Sequence, residues 1–209
     1  LAFPGPFDYE SGVSYMKGLG KYESLYGLPF GRMLSESLMA YPCFGASDGV
    51  TVRFVNDATA FALGEALSGD GQGVHRLLCV TLGTGCGTTF LEDGQVVRGR
   101  DGVPDDGMLY HLPYKDSIVD DYISRRGLHN LAALYHLPPQ KDVKEWAEME
   151  EAPPMFAKFG QMFGEVLAAY ALPFSPDKIV LGGNIAKSFP LFEPSLRKTP
   201  GLETLPIVL

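Results

Sequence analysis

Runs of apolar residues, separated by glycine-rich breaks, alternate along this chain between strand-like and helix-like spacing. Continuous β-branched and apolar runs predict buried strands at residues 50–55, 76–82, 88–91, 95–97 and 178–181, and a final strand at 205–209. Apolar positions at helical spacing predict helices at 29–41, 58–67, 117–124, 128–135, 143–149, 153–172 and 185–189. The order of these elements indicates a mixed α/β fold.

Glycine-containing turns separate the predicted elements. Asp93-Gly94 lies between two apolar runs, which predicts a β-hairpin. The stretch Ser68-Gly69-Asp70-Gly71 follows a helix and is the predicted domain hinge. Two more glycine clusters, at 83–87 and 182–183, follow predicted strands. Because open α/β sheets usually bind ligands at the carboxyl ends of their strands, we expect a ligand near these clusters.

Composition narrows the class of protein. Of the 209 residues, 45% are apolar and 20% are charged, which is typical of a globular protein with a proper core. The formal net charge is −8, and no cluster of Lys or Arg is longer than Arg125-Arg126. A nucleic-acid binder usually carries a basic face, so this segment is not expected to bind DNA or RNA. A nucleotide is compatible with this charge, because backbone amides can hold phosphates.

Cysteine usage and run lengths predict the compartment. The three cysteines, Cys43, Cys79 and Cys86, include no CxxC pair. A disulfide framework or a four-thiolate zinc site is therefore not expected, and a reducing cytoplasm is the predicted location. No apolar run approaches ~20 residues, so no membrane span is expected. The chain opens on Leu1 and closes on a strand-like run, which we interpret as truncation at both ends.

Asn56 and Asp57 follow the predicted strand at 50–55. A carboxylate at the end of a buried strand can enter a cleft and act as a general base toward a hydroxyl group. Asn56 would then hydrogen-bond the same substrate. The alternative is that Asp57 is only the N-cap of the helix predicted from Ala58, which is a common role for aspartate.

The sequence Leu82-Gly83-Thr84-Gly85-Cys86-Gly87 joins two predicted strands. Its glycines let the backbone approach a ligand and direct amide N–H groups at an anion, and the threonine adds a hydroxyl donor. It matches neither the GxGxxG fingerprint nor a Walker P-loop, and a tight hairpin explains the same glycines. Gly182-Gly183 can likewise lie under an adenine or ribose, or form a plain strand-to-helix turn.

The loop at 107–113 contains His111, which can hydrogen-bond a sugar hydroxyl. The alternative for His111 is a packed structural histidine. The acidic pairs Asp105-Asp106 and Asp120-Asp121 can ligate a metal, although such pairs are more commonly solvated charges in loops or helix starts.

Together these motifs resemble the ROK family of sugar kinases and sugar-responsive repressors. The runs that carry the resemblance are Pro4-Gly5-Pro6-Phe7-Asp8, Phe54-Val55-Asn56-Asp57-Ala58 with Leu63-Gly64-Glu65, Val80-Thr81-Leu82-Gly83-Thr84-Gly85-Cys86-Gly87, the loop ending at His111, and Ile179-Val180-Leu181-Gly182-Gly183. The resemblance spans nearly the whole chain, and the joint pattern is specific although no single piece is.

The resemblance implies a role for each matching residue. Asp57 would be the catalytic base that activates the attacking sugar hydroxyl. The residues that would contact the sugar are Asn56, His111, Asp120 and Gly5. The residues that would contact ATP are Gly83, Thr84, Gly85, Gly182 and Gly183. His111 matches the histidine of the family's Glu-x-Gly-His motif, and Asp120 takes the place of a Glu that precedes a serine, here Ser124, by four residues.

The chain departs from the family pattern in three places. The family's first phosphate loop, Asp-x-Gly-Gly-Thr, would precede Leu1. Met108 and Tyr110 replace the Glu and Gly of the Glu-x-Gly-His motif. Methionine cannot accept hydroxyl protons as a carboxylate does, so sugar affinity or sugar choice must differ. Tyr114-Lys115-Asp116-Ser117 stands in place of the zinc-binding cysteines of many family members, so no zinc is expected, and no residue is assigned as a metal ligand.

The resemblance also implies a fold and a reaction. The fold would be the two-domain α/β fold of actin-like ATPases (ribonuclease-H-like), with residues 1–70 in the small N-terminal domain and 71–209 in the large C-terminal domain. The reaction would transfer the γ-phosphoryl group of ATP to a hexose, with ATP and Mg²⁺ as cofactors and a small-molecule sugar as partner. A homodimer is expected by analogy alone. The alternatives are a non-catalytic sugar sensor and a plain acidic α/β domain that binds no nucleotide.

Overall fold

The computed structural model describes residues 1–18, 22–41, 43 and 50–209. Its strands are β1 (Ala2–Phe3), β2 (Phe7–Asp8), β3 (Val13–Ser14), β4 (Val55–Asn56), β5 (Arg76–Leu82), β6 (Cys86–Glu92), β7 (Gln95–Val97), β8 (Pro113–Tyr114), β9 (Ser117–Ile118), β10 (Lys178–Gly182) and β11 (Ile207–Val208). Its α-helices are α1 (Phe30–Met39), α2 (Asp57–Ser68), α3 (Val119–Tyr122), α4 (Arg125–Leu134), α5 (Val143–Trp146), α6 (Pro153–Tyr170) and α7 (Phe189–Leu196). No helix of this described part combines the length and apolar composition needed to cross a bilayer.

The chain divides into two compact units, Leu1–Ala60 and Phe61–Leu209. The boundary falls inside α2, before the predicted hinge at 68–71. The domain division at residue 70 stays a prediction, and each unit is described by itself below.

The first unit depends on aromatic packing more than on its strands. β1 pairs in parallel with β4, and β2 pairs antiparallel with β3, each over only two residues. The rings of Phe3, Phe7, Phe30 and Phe54 form a cluster whose contacting centroids are 4.8 to 5.9 Å apart. Such ring pairs add stabilisation beyond the apolar area they bury, so the cluster supplies what the short ladders cannot.

The second unit is built on a five-stranded sheet of order β11-β10-β5-β6-β7. β10 lies between β5 and β11 and pairs with both in parallel, whereas β5, β6 and β7 form an antiparallel meander. The predicted hairpin at Asp93-Gly94 is confirmed, since both residues adopt positive φ angles, of 51° and 74°. Two-residue hairpin turns with this backbone match the twist of the flanking strands.

Both faces of this sheet are covered by helices. Leu78, Val80 and Leu82 of β5 belong to the main core, which α4, α6 and α7 complete. Leu77 and Cys79 point to the opposite face, where α2 packs on them through a smaller core. Successive side chains of a strand alternate between faces, so a strand that is apolar throughout requires cover on both sides. The predicted mixed α/β class is confirmed.

Helices α6 and α7 approach each other at the level of the backbone. α6 buries Phe156, Phe159 and Phe163, and its Gly160 faces the carbonyl of Phe192 in α7 so closely that a Cβ atom at Gly160 would collide with it. Close approach of two helices requires a residue without a side chain at the point of contact.

Two predicted elements differ from the structure in their bounds, one in each unit. The run at 50–55 is a strand only at Val55–Asn56, because its partner β1 supplies just two residues; Thr51 and Arg53 are exposed. The helix predicted at 117–124 begins as strand β9, which pairs with β8 across a turn where Lys115 has a φ of 52°.

The region after β10 is more helical than the sequence indicated. A 3₁₀ turn at Ile185–Ser188 leads directly into α7, which continues to Leu196. The two prolines of α7 hide it from a periodicity argument. Pro190 occupies the first turn, where the missing N–H has no partner to lose, and only Pro194 lies inside the helix. The remaining strands and helices are confirmed within a few residues, although α5 ends at Trp146, before the predicted residue 149.

Replacing Gly160 with alanine tests the close contact of α6 and α7. We expect Gly160→Ala to lower the free energy of unfolding by about 1–3 kcal/mol, because overpacking outweighs the better helix propensity of alanine. Gly64→Ala in α2 is the matched control, since no atom lies within 4 Å of a Cβ there. It should raise the free energy of unfolding by up to about 1 kcal/mol. Urea unfolding of both variants measures the difference, and equal effects would contradict the packing argument.

The pair of His75 and Asp93 gives a pH-dependent contribution to stability. A hydrogen bond that the His75 imidazole donates to the Asp93 carboxylate, and then the charge of that carboxylate, raise the pKa of His75 above 6.5. The contribution is therefore fully present below the unfolded-state pKa and is lost as the pH rises through the folded-state pKa. We expect Asp93→Asn to return the pKa of His75 toward 6.5 in an NMR titration. Asparagine tolerates the positive φ at this position, and Glu150→Gln should leave the titration unchanged.

Candidate active site

Two glycine turns meet at one edge of the five-stranded sheet. β5 and β10 run in parallel with Gly182 opposite Thr81, so both strands end at the same edge. Gly183 follows with a φ of 87°, and a Cβ atom there would collide with the backbone of Leu82. The structure therefore brings together the two turns that were predicted to contact ATP.

The glycines of the second turn have a packing explanation. A Cβ atom at Gly182 would lie 2.5 Å from the ring of Phe61 in α2, and Gly183 is excluded from carrying a side chain by its φ angle and by Leu82. This agrees with the alternative of a plain strand-to-helix turn. A contact of either glycine with adenosine stays a prediction.

The first turn, residues 83–85, presents unpaired backbone donors. It closes between Leu82 and Cys86, and the Gly83 N–H donates to the Gly85 carbonyl at 3.0 Å. The amide N–H groups of Thr84 and Gly85 have no acceptor within the part of the chain that the structure describes. Thr84 is exposed, and no atom lies within 4 Å of a Cβ built at Gly83. Successive free N–H groups in a turn form a concavity suited to a phosphate.

Both ends of this turn are held from one neighbouring segment. The Arg125 N–H, at the start of α4, donates to the Gly83 carbonyl at 2.8 Å. The Cys86 N–H donates to Oδ1 of Asp120 at 2.7 Å. The other carboxylate oxygen of Asp120 accepts from Arg126 at 3.1 Å. The turn is thus fixed by a backbone donor on one side and by a carboxylate on the other.

Asp120 is largely withdrawn from solvent. Its side chain is 17% exposed. Burial raises the pKa of Asp120 above its ordinary value, while the Cys86 N–H and the Arg126 charge oppose this effect only in part. A buried carboxylate is costly unless it is hydrogen-bonded and paired, and Asp120 has both kinds of partner.

The loop that contains His111 reaches the same segment. The carbonyl of Tyr110 accepts the Asp120 N–H at 2.9 Å, and the rings of Tyr110 and His111 pack edge to face at 4.9 Å. His111 is 44% exposed, and its Nδ1 lies 3.7 Å from Oδ2 of Asp106. An exposed imidazole is available to a ligand, which a fully packed structural histidine would not be.

Sequence reasoning missed two arginines beside the first turn. Arg126, which contacts the Asp120 carboxylate, and the Arg125 N–H, which donates to the Gly83 carbonyl, were not predicted as part of a site. The sequence signal was the Arg125-Arg126 pair, a basic cluster that no other in the sequence exceeds in length, but composition alone could not connect it to the glycine turn.

In the first unit, Asn56 and Gly5 gather around one hydroxyl group. Asn56 Nδ2 donates to the Tyr9 hydroxyl at 3.0 Å, and that hydroxyl donates to the Phe3 carbonyl at 3.1 Å. A Cβ atom at Gly5 would lie 3.3 Å from the same Tyr9 hydroxyl. Gly5 and Asn56 are therefore neighbours through Tyr9, a residue that the sequence did not single out.

Asn56, and not Asp57, performs the capping role at the start of α2. Oδ1 of Asn56 accepts the Thr59 N–H at 3.2 Å, which is the geometry of an N-cap. Asp57 is the first residue of the helix and is exposed, and its Oδ1 accepts the adjacent Ala58 N–H at 3.0 Å. Because capping does not require Asp57, its carboxylate is available for chemistry.

The donors at the first turn fit a phosphate group, and a magnesium ion needs few protein ligands beside it. Within the described chain, no group of three or more His, Cys, Asp or Glu side chains is arranged to hold a metal ion. Mg²⁺ commonly binds through substrate phosphates and water with only one or two carboxylates, so a nucleotide-bound ion does not require such a cluster.

Comparison with known proteins follows the same motifs. A family model described as the ROK family matches residues 44–200. The chain is 29% identical over 177 residues to the N-acetyl-D-glucosamine kinase of Vibrio parahaemolyticus, covering 74% of this chain and 59% of that protein. It is 24% identical over 214 residues to the glucokinase of Thermotoga maritima, covering 90% and 64%. The chain spans about half to two thirds of the length of the curated relatives that it matches.

Solved structures show the same fold. A glucokinase from Parabacteroides distasonis superposes with a TM-score of 0.73 at 28% identity, over 97% of this chain and 61% of that chain. A ROK hexokinase from Thermus thermophilus gives a TM-score of 0.70 at 25% identity, over 98% and 70%. A ROK transcriptional regulator, a homologue of the E. coli MLC protein, gives 0.75 at 19% identity, over 98% and 56%.

The family model covers three quarters of the chain, and the structural neighbours include sugar kinases and a regulator of one family. ROK sugar kinases have the actin-like ATPase fold, so the predicted fold class is confirmed. The chain belongs to the ROK family.

Proposed function

We propose that the protein is an ATP-dependent sugar kinase that transfers the γ-phosphoryl group to a hydroxyl of a hexose-class sugar. The observation that carries the proposal is the start of α2, where Asn56 caps the helix and leaves the Asp57 carboxylate exposed and without a capping role. Support comes from membership of the ROK family and from relatives that are kinases of glucose and N-acetylglucosamine.

The proposed chemistry assigns a distinct task to each group of residues. Asp57 accepts the proton of the attacking hydroxyl, a contribution that is typically about 10²–10⁴-fold in rate. The residues proposed to bind the sugar are Asn56, His111, Asp120 and Gly5. A carboxylate has about four acceptor positions, so Asp120 can receive a sugar hydroxyl in addition to its present partners.

The glycine turns are proposed to hold the nucleotide. The free N–H groups of Thr84 and Gly85 and the Thr84 hydroxyl are directed at the β- and γ-phosphates, with Gly83 allowing close approach. Gly182 and Gly183 lie near the adenosine in this proposal. Mg²⁺, when bound with the nucleotide, would supply neutralisation of the phosphate charges. Cytoplasmic location and a homodimer stay predictions.

A sugar sensor without catalysis is the second candidate, and one residue favours it. Met108 is partly buried in the loop before His111, at the position where the family motif has Glu. A thioether accepts hydrogen bonds only weakly, so this pocket holds a sugar with one strong acceptor fewer. The transcriptional regulator among the structural neighbours has the same fold as the kinases, so the fold itself is compatible with either function.

The first test is a coupled ADP-release assay on the full-length protein with Mg·ATP and a panel of hexoses and amino sugars. We expect sugar-dependent ADP release, which would identify the substrate. If no sugar of the panel causes ADP release but one of them raises the melting temperature, the result would contradict the kinase proposal and support the sensor.

The assignment of Asp57 is tested with Asp57→Asn and Asp57→Ala. We expect kcat to fall by about 10²–10⁴-fold, since the base is lost, while the Kd for the sugar changes little. Glu36→Gln is the matched control, because it removes an exposed carboxylate from the same unit. Turnover near that of the wild type in the Asp57 variants would refute the role of Asp57 as base.

A further inference from the structure

Asp120 makes a contact with the first glycine turn that sugar binding does not require. Its Oδ1 accepts the Cys86 N–H at 2.7 Å, at the point where the first glycine turn becomes β6. The same oxygen lies 2.8 Å from the position of a Cβ atom at Gly85. The carboxylate thus occupies the space that any side chain at residue 85 would need, and the turn and Asp120 are fitted to each other.

The backbone of Asp120 is itself held in place on both sides. The Ser124 hydroxyl donates to the Asp120 carbonyl at 2.5 Å and, as N-cap of α4, accepts the Gly127 N–H at 3.4 Å. The Asp120 N–H donates to the carbonyl of Tyr110 at 2.9 Å. A continuous path of hydrogen bonds therefore runs from the loop beside His111, through the backbone and carboxylate of Asp120, to the glycine turn.

The charge of Asp120 is balanced on the side away from the turn. Arg126 contacts Oδ2 of Asp120 at 3.1 Å and Oδ1 of Asp121 at 2.8 Å. Because the Arg126 guanidinium contacts Oδ2, Oδ1 of Asp120 can accept the Cys86 N–H. Asp121 shares the arginine but has no contact with the turn, so the two adjacent aspartates differ in the one interaction that matters here.

We propose that Asp120 is a positioning residue for the phosphate-binding turn: by holding the Cys86 N–H, it keeps the free N–H groups of Thr84 and Gly85 directed toward the nucleotide. This inference rests on the proposed function, and it adds a role that is separate from contact with sugar. The turn has only three residues between its strand ends, so displacement of one end reorients both free donors.

The test compares Asp120→Ala and Asp120→Asn with Asp121→Ala in the full-length protein. Calorimetry measures the Kd for the nonhydrolysable nucleotide Mg·AMPPNP and, separately, for the sugar found in the ADP-release assay. We expect Asp120→Ala to weaken Mg·AMPPNP about tenfold, as for loss of one charge-assisted hydrogen bond. Asp120→Asn keeps an acceptor for the Cys86 N–H and should stay within about threefold of the wild type, as should Asp121→Ala.

A double-mutant cycle keeps the proposal testable should Asp120→Ala alone perturb folding. Gly85→Ala introduces a Cβ atom that displaces the carboxylate from the Cys86 N–H, and it should weaken Mg·AMPPNP by a similar factor. With Asp120→Ala already present, the same substitution should cost less, because the colliding carboxylate is gone. Hydrogen exchange at the Cys86 amide should accelerate in Asp120→Ala and not in Asp121→Ala.

The outcomes separate this inference from the proposed function. If both Asp120 variants weaken sugar binding and leave the Kd for Mg·AMPPNP unchanged, Asp120 serves the sugar alone and the positioning role is refuted. Additive effects of Gly85→Ala and Asp120→Ala would refute it as well. If the wild type fails to bind Mg·AMPPNP at all, the kinase proposal itself fails, a result that requires no variant to detect.

Discussion

The parallel pairing of β10 with β5 is the constraint on which the second unit depends. It joins distant parts of the chain: Arg76 and Asp177, 101 positions apart, are tied where the two strands begin by the Arg76 N–H donating to Asp177 and by the Asp177 N–H returning to the Arg76 carbonyl. A slip by one residue would exchange the two faces of β10 and place apolar residues against the wrong core. The same register brings the two glycine turns to one edge, so the geometry of the candidate site follows from the pairing of the strands.

Local patterns in the sequence predicted much of this architecture. They could not predict which distant residues pair or hydrogen-bond with one another. Local residue types and apolar spacing were enough to predict the Asp93-Gly94 hairpin, α6 and the two glycine turns. The strand at 50–55 was wrong because β-branched residues extend a sheet only where a partner strand exists, and β1 offers two residues. The bond from Cys86 to Asp120 joins positions 34 apart through a backbone group, which no composition or spacing reveals.

Several residues of the predicted motifs have structural roles in this molecule. Gly182 and Gly183 are required by packing, and Asn56 caps a helix while its amide nitrogen reaches Tyr9. The hairpin of β8 and β9 stands where the family pattern has zinc-binding cysteines. Cation–π contacts and a hydrogen bond hold it in this chain. Lys115 lies 5.1 and 5.2 Å from the ring centroids of Tyr114 and Tyr122, and the Tyr114 hydroxyl bonds Glu165 of α6. Burial, followed by this bond, raises the pKa of Tyr114 and keeps its hydroxyl a donor.

The order of elements along the chain also determines how the second unit can assemble on the ribosome. β5, β6 and β7 are contiguous and can form their meander early, but β10, which pairs with the open edge of β5, and α6, one of the helices that cover a face of the sheet, are synthesised only with residues 153–182. Until then the nascent chain presents an unpaired, apolar strand edge, the arrangement most prone to pairing with another chain. That edge therefore needs protection during synthesis, although it is paired with β10 in the finished fold.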